Sequence, residues 1–291
     1  MSLAAWRSRP WMRAAFIGAL VLATVSTLYA VDRQRLSLSR TAELSYLPEG
    51  KYLKVAVLGY RELAADVLWL KAVQGLAGKQ QTRQGYLGAY HAVDVLTELD
   101  PKFVHAYQYT GTVLGVVAGM VKESVALLTK GVKHNPTTWQ LSFFLGYDYY
   151  YELRDPASAA KHFQTASLQS GAPSWVAGLA ARMAVEANDP AAALEFLQRL
   201  YVQTHDEQLR EGLARRIREV TAERDIRVLE QGVRTYRDRT QKVPKTLDDL
   251  VTSNIVSVIP ADPFGGRYEL SAPDGAVKSS GLRERIRVYQ R

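Results

Sequence analysis

Residues 139–173 read WQLSFFLGYDYYYELRDPASAAKHFQTASLQSGAP. The first half carries Leu145-Gly146 and then Tyr149. The second half carries Ala159, Phe163 and Ala166 at four- and three-residue steps, and Pro173 closes it. Apolar residues at those steps mark one face of a helix, so the stretch predicts a helix–turn–helix pair. The pattern then repeats. Leu145-Gly146 aligns with Leu179-Ala180, and Ala159 and Phe163 align with Ala193 and Leu197, each 34 residues on. Asp100-Pro101, Asn135-Pro136 and Ala172-Pro173 mark boundaries 35 and 37 residues apart. A two-helix period of this length, with small residues where helices cross and Pro at the end of the second helix, signals stacked repeats.

Residues 84–205 therefore resemble the tetratricopeptide repeat family. The clearest unit is Trp139 to Pro173. The unit from Phe103 keeps Tyr107, Gly111 and the closing Pro136, and the unit from Ser174 keeps Ala180, Ala193 and Leu197. The spacing between halves is one or two residues longer than the family's. The resemblance implies a concave face lined by first helices, which holds a peptide or helix of a protein partner. By repeat register that groove falls on His105, Gln108 and Thr112, then Gln140, Phe143, Tyr147, Tyr150 and Tyr151, then Ser174, Ala177, Ala181 and Ala184. Tyr suits such surfaces because a large ring carries one polar tip. Rings of this kind also pack between neighbouring helices.

Upstream, Leu53, Val57, Tyr60, Ala64, Val67, Leu68 and Val73 predict one long amphipathic helix, and a second fits Tyr86 to Leu96. Glu62 and Asp66 share a helix face, being four residues apart. Paired carboxylates can do acid–base work or hold a cation, but an ion pair or a cap contact is the simpler reading.

The 291-residue chain has 47% hydrophobic and 23% charged residues, which are globular values. It has no Cys, which excludes disulfides, thiolate metal sites and a cysteine nucleophile. The formal charge of +8 is concentrated at the ends. Residues 1–40 carry six Arg against Asp32, and residues 276–291 carry five basic side chains against Glu284. The remainder holds 26 basic and 27 acidic groups. A neutral body argues against nucleic acid as a partner.

Arg7, Arg9 and Arg13 precede an uncharged run from Ala14 to Val31. With Pro10, Trp11 and Met12 in front, it approaches the ~20 residues that span a bilayer. Trp6, Trp11 and Tyr29 lie near its ends, and the leading arginines predict a cytoplasmic N-terminus. The expectation is a single-pass anchor over residues 11–31 in a bacterial inner membrane, with the bulk of the chain in the periplasm. A cleavable signal peptide competes with it, although Leu28-Tyr29-Ala30 is a poor cleavage site.

At the other end, Asp206 to Arg239 reads as a charge-rich helix with a stripe of Ile217, Val220, Ile226, Val228, Leu229, Val233 and Tyr236. A short helix from Pro244 and a Pro/Gly-rich loop should follow. Strands Arg267–Leu270 and Ala276–Ser279 would then form a hairpin, with Pro273-Asp274-Gly275 in its turn. Pro244-x2-Leu247-x2-Leu250-Val251, Ile259-Pro260-x-Asp262-Pro263-Phe264-Gly265, Tyr268, Asp274-Gly275 and Ser279-Ser280-Gly281 resemble the C-terminal half of type II secretion major pseudopilins over residues 226–291. No prepilin processing motif stands at the N-terminus, so a pilus subunit is not expected. Asp262 and Asp274 alone do not make the family's calcium site.

The expected fold is mainly α: a transmembrane helix, an α-solenoid and a small α+β hairpin region. Its divisions are residues 1–40 (tip and anchor), 41–50 (linker), 51–224 (repeats) and 225–291 (pilin-like region). No nucleotide loop or nucleophile elbow occurs. His91, His105, His134, His162 and His205 form no ligand pair. No enzyme activity, cofactor or metal is expected. The expected function is a periplasmic scaffold that binds protein partners in assembling a pilus, a type II-like secretion system or a related envelope complex. The alternative is an accessory structural subunit of an inner-membrane enzyme or polysaccharide export complex.

Overall fold

The computed structural model describes residues 10–37, 43–77, 82–271, 275–282 and 284–286. The chain is mainly helical, with a two-stranded antiparallel sheet near its C-terminus. It divides into two compact units, Met1–Ala106 and Tyr107–Arg291.

In the first unit, α1 spans Pro10–Ser37. Its described side chains, residues 16–30, are all exposed. Among the described residues no helix is long and apolar enough to cross a membrane. The ends of the expected anchor, residues 11–15 and 31, lie outside the described side chains. Next come α2 (Gly50–Ala56), α3 (Arg61–Leu76) and α4 (Arg83–Leu99). The single long helix expected over residues 53–73 is broken near its start, between Ala56 and Arg61. Leu58 at φ 49 and Gly59 at φ +96 turn the chain between α2 and α3. Ala65, Ala72 and Leu76 of α3 are buried, as are Ala89, Ala92, Val93 and Leu96 of α4. Thr82 caps α4 by accepting from Gly85 N. His91 Nε2 lies 2.9 Å from Leu47 O, so this histidine is a packing residue.

The next elements are α5 (Val104–Thr112), α6 (Val121–His134), α7 (Trp139–Tyr147), α8 (Pro156–Ser167), α9 (Trp175–Glu186) and α10 (Pro190–Gln203). From Tyr107 onward they belong to the second unit. The pairing is legible residue by residue. A Cβ added to Gly111 would meet Leu128 Cγ at 2.7 Å, and one added to Gly146 would meet Phe163 at 3.0 Å. Leu128 and Phe163 each lie 17 residues beyond their glycine. Ala180 and Leu197, also 17 apart, are both fully buried in the third pair. A small residue on each first helix admits the large side chain of its partner helix.

The first helices of two pairs end in a π turn, Val113–Val117 after α5 and Asp148–Glu152 after α7. Ala118 N–H donates to Val113 O and Leu153 N–H to Asp148 O, each at 3.0 Å. The third pair has no such turn, although its small and large residues stand at the same 17-residue spacing. The chain then passes through a left-handed residue in every pair: Gly119 (φ 63), Arg154 (φ 55) and Asn188 (φ 62). Asp155 and Asp189 follow. They cap α8 and α10 by accepting from Ser158 N at 3.0 Å and Ala192 N at 2.9 Å, with Pro156 and Pro190 at the first helical position.

The long helix α11 runs unbroken from Glu207 to Thr240. Leu213 and Val220 join the core of the third pair, while Ile226, Leu229 and Val233 join a second core with Leu247, Leu250, Tyr268 and Val277. The short helix α12, Asp248–Thr252, begins later than the expected Pro244. Strands β1 (Tyr268–Ser271) and β2 (Ala276–Ser279) pair with Tyr268 opposite Ser279 and Ser271 opposite Ala276. Of the expected turn, residues 273 and 274 lie outside the described residues, Asp274 among them.

Candidate partner-binding surface

The aromatic run after Gly146 is split by the π turn into rings that pack and rings that face solvent. Phe143 lies against the third-pair core, 5.4 Å from both Phe163 and Trp175 between ring centroids. Tyr149 and Tyr150 also pack on that core, and Tyr149 stacks on His162 at 5.1 Å. Burial, and then the Lys161 charge, hold His162 below its usual range. Burial first, and then the Glu186 carboxylate, push Tyr150 up to about 12. Tyr147 and Tyr151 are different. Their centroids are 4.4 Å apart, and Tyr151 is 47% exposed. Tyr150 meets Tyr151 edge-on at 4.7 Å.

Among the remaining sequence-predicted residues, Gln140, Gln108 and Thr112 are half-buried, and Thr112 Oγ1 donates to Gln108 O within its own helix. His105 is exposed and belongs to the first unit. Within the second unit, the structure gathers Tyr147, Tyr150 and Tyr151, and turns Phe143 inward. The third-pair positions are a correction: Ala177, Ala181 and Ala184 are buried, because their small side chains are where α9 packs on its neighbours. Ser174 stays exposed. A separate cleft of about 920 Å³ opens between α9, α10 and α11, with Trp175, Leu179, Leu200, Leu209 and Arg216 on its walls. None of the residues from His105 to Tyr151 predicted for the groove lines it.

Sequence reasoning missed the group beside this aromatic run. Asp148 is 2% exposed. Its Oδ2 lies 2.5 Å from Ser124 Oγ on α6, and Ser124 Oγ lies 2.8 Å from Gly111 O. A hydroxyl has one proton, and the Gly111 carbonyl can only accept. If Ser124 donates to Gly111, the short contact to Asp148 needs a proton on the carboxyl. Burial, the largest influence on Asp148, raises it to about 6; Ser124 opposes that rise and the Glu152 charge adds to it. A Cβ on Gly115 would lie 2.5 Å from Asp148 Oδ1, so the two π turns meet only because Gly115 has no side chain. The available signal was a lone acid inside an aromatic run, with a lone serine on the apolar face 24 residues before it.

The C-terminal motif residues also converge. Asp262 is buried, and its carboxylate accepts from Phe264 N at 2.9 Å and Ser279 Oγ at 2.5 Å. Ser280 Oγ accepts from Arg267 N at 2.9 Å. Asp262 is thus occupied in closing its own loop. Glu223, 2% exposed, receives Arg227 and Arg285, and Arg285 also reaches Glu230 at 2.8 Å. Among the described residues no three His, Asp or Glu side chains stand where they could hold a metal ion. Glu62 and Asp66 are both exposed on α3. The chain matches no protein-family model and no curated protein.

Proposed function

We propose that this protein is a membrane-anchored scaffold that holds other polypeptides against its paired helices outside the cytoplasm. The observation that carries the reading is the Tyr147–Tyr151 pair, two rings tilted against each other at the end of a first helix, of which Tyr151 is exposed and Tyr147 half-buried. Rings fixed by their neighbours lose little entropy on binding, and Tyr is enriched where partners dock. Two further points support it. The tetratricopeptide-like spacing agrees with an array of stacked pairs, and the uncharged run from Ala14 to Val31 behind three arginines suits an anchor with a cytoplasmic N-terminus. The pseudopilin-like tail supports a role in assembly of a pilus, a type II-like secretion system or a related envelope complex.

The test is crosslinking in intact membranes followed by mass spectrometry, with wild type beside a Tyr147→Ala/Tyr151→Ala double variant. Tyr150 and Phe143 are left in place, since they pack on the core. The partner recovered with wild type should be lost with the variant at unchanged helical content. Full recovery of that partner by a folded variant would remove the aromatic pair from the binding surface.

A further inference from the structure

The N-terminal unit carries an apolar face that none of its described elements covers. Tyr60, Leu63, Val67 and Leu70 recur at steps of three, four and three along α3, and all are exposed; Leu63 is 61% exposed. The opposite side of the same helix is also apolar and is buried against α4. Between the two apolar sides stand the exposed Glu62, Asp66 and Lys71, so the outward strip is a narrow one with polar flanks. The corner before it is more telling. Leu58 stands in the left-handed backbone region and is 86% exposed. That conformation is costly for a residue with a branched apolar side chain, and strain of this kind persists where the local geometry has a use. Here it holds an apolar tip out to solvent. Tyr52 and Tyr60, 62% and 71% exposed, flank the tip.

We propose that the Leu58 corner and the outward strip of α3 seat on the surface of the bilayer that holds the N-terminal run, with Leu58, Leu63 and Leu70 below the headgroups and Tyr52 and Tyr60 among them. The inference rests on the anchor reading above. It identifies the bilayer as the occupant for three reasons. Twelve residues separate Ser37 from Gly50, a reach of at most ~40 Å, so the face stays tethered close to the membrane. A short tether makes even weak seating effective. Tyrosine rings favour the headgroup level, where one end is apolar and the other wet. Charge plays little part. Lys51, Lys54, Arg61 and Lys71 are nearly balanced by Glu49, Glu62 and Asp66, and Lys51 pairs with Glu49 at 2.5 Å. Seating should therefore depend weakly on anionic lipid and on salt.

The absence of cysteine gives a clean test. The full chain is reconstituted in phosphatidylcholine vesicles, with and without phosphatidylglycerol. Single variants Leu58→Cys, Leu63→Cys, Leu22→Cys and Gln203→Cys each carry an environment-sensitive fluorophore. Nitroxide-labelled lipid and aqueous iodide are the two quenchers. The expected result is severalfold stronger lipid quenching at 58 and 63 than at 203, a blue-shifted emission, and little change with phosphatidylglycerol. A Leu58→Asp change in the Leu63→Cys protein should return the probe at 63 towards water. Lipid quenching at 22 with iodide quenching at 58 and 63 overturns the seating while leaving the anchor intact. Iodide quenching at 22 overturns the anchor itself. Shielding of 58 and 63 from both quenchers means that protein covers the face, and it also overturns the proposal.

Discussion

Replacing Asp148 by asparagine should make the protein more stable at neutral pH, although the change removes a buried hydrogen-bonded acid. The carboxyl is raised from its ordinary 3.8 to about 6 in the folded chain. Folding therefore favours the protonated form. The stabilisation that the proton supplies is complete below about pH 4 and is lost as pH rises towards about 6. A rise of that size corresponds to about 3 kcal/mol of folding free energy that wild type gives up by pH 7. Asparagine is neutral throughout. Its amide can donate to Ser124 Oγ as the protonated acid does, leaving Ser124 free to donate to Gly111 O. The variant should keep its stability across this range and exceed wild type above about pH 6 by up to ~3 kcal/mol, less any cost of fitting the amide beside Gly115. The measurement is urea unfolding of the full chain in detergent micelles, followed by far-UV circular dichroism at several pH values between 4 and 8. The decisive quantity is the difference in slope against pH. Equal slopes for the two proteins, or a variant weaker than wild type at pH 8, would refute the neutral-acid assignment. Glu152→Gln should reduce the wild-type slope only modestly, since burial is the larger cause.

Two further outcomes follow from the linkers and the C-terminal contacts. Arg154→Asn should raise stability by up to about 1 kcal/mol in the same unfolding assay, because Asn tolerates the left-handed backbone that Gly119 and Asn188 already serve in the neighbouring pairs. Arg285→Ala should cost about 1–3 kcal/mol and speed hydrogen exchange at residues 223–230, since it leaves Glu223 with Arg227 alone and removes the described ion pair of Glu230.

The repeating helix pairs could be read from the sequence because their crossing contacts need a small residue and a large one at fixed spacing. Gly146 with Phe163 and Ala180 with Leu197 announce themselves in that way. The hairpin was legible for a similar reason: Tyr268 and Val277 alternate with polar neighbours, and both point into the second core. The break at Leu58 was missed because periodicity continues through Val57 and Tyr60, although Gly59 was an available turn signal. The site split for a related reason. Repeat register predicts which face of a regular helix a ring occupies, but Tyr149, Tyr150 and Tyr151 all stand within the π turn Asp148–Glu152, where the α-helical step does not hold. Tyr151 therefore stays outside, while Tyr149 and Tyr150, from the same run, pack inward. The buried alanines of α9 were assigned to a groove because small side chains suit both a concave surface and a tight helix crossing, and sequence alone does not separate the two. The Ser124–Asp148 contact joins residues on different pairs and leaves no local pattern.

The helix from Glu207 to Thr240 is a rod of about 51 Å onto which two hydrophobic cores are threaded, one behind the other. Neither core has a hinge between itself and the next, so a pull or a twist delivered at the hairpin end travels as a rigid torque into the last helix pair. Melting either core would bare a stripe of the same shaft. The two halves of this unit should therefore fail together under load.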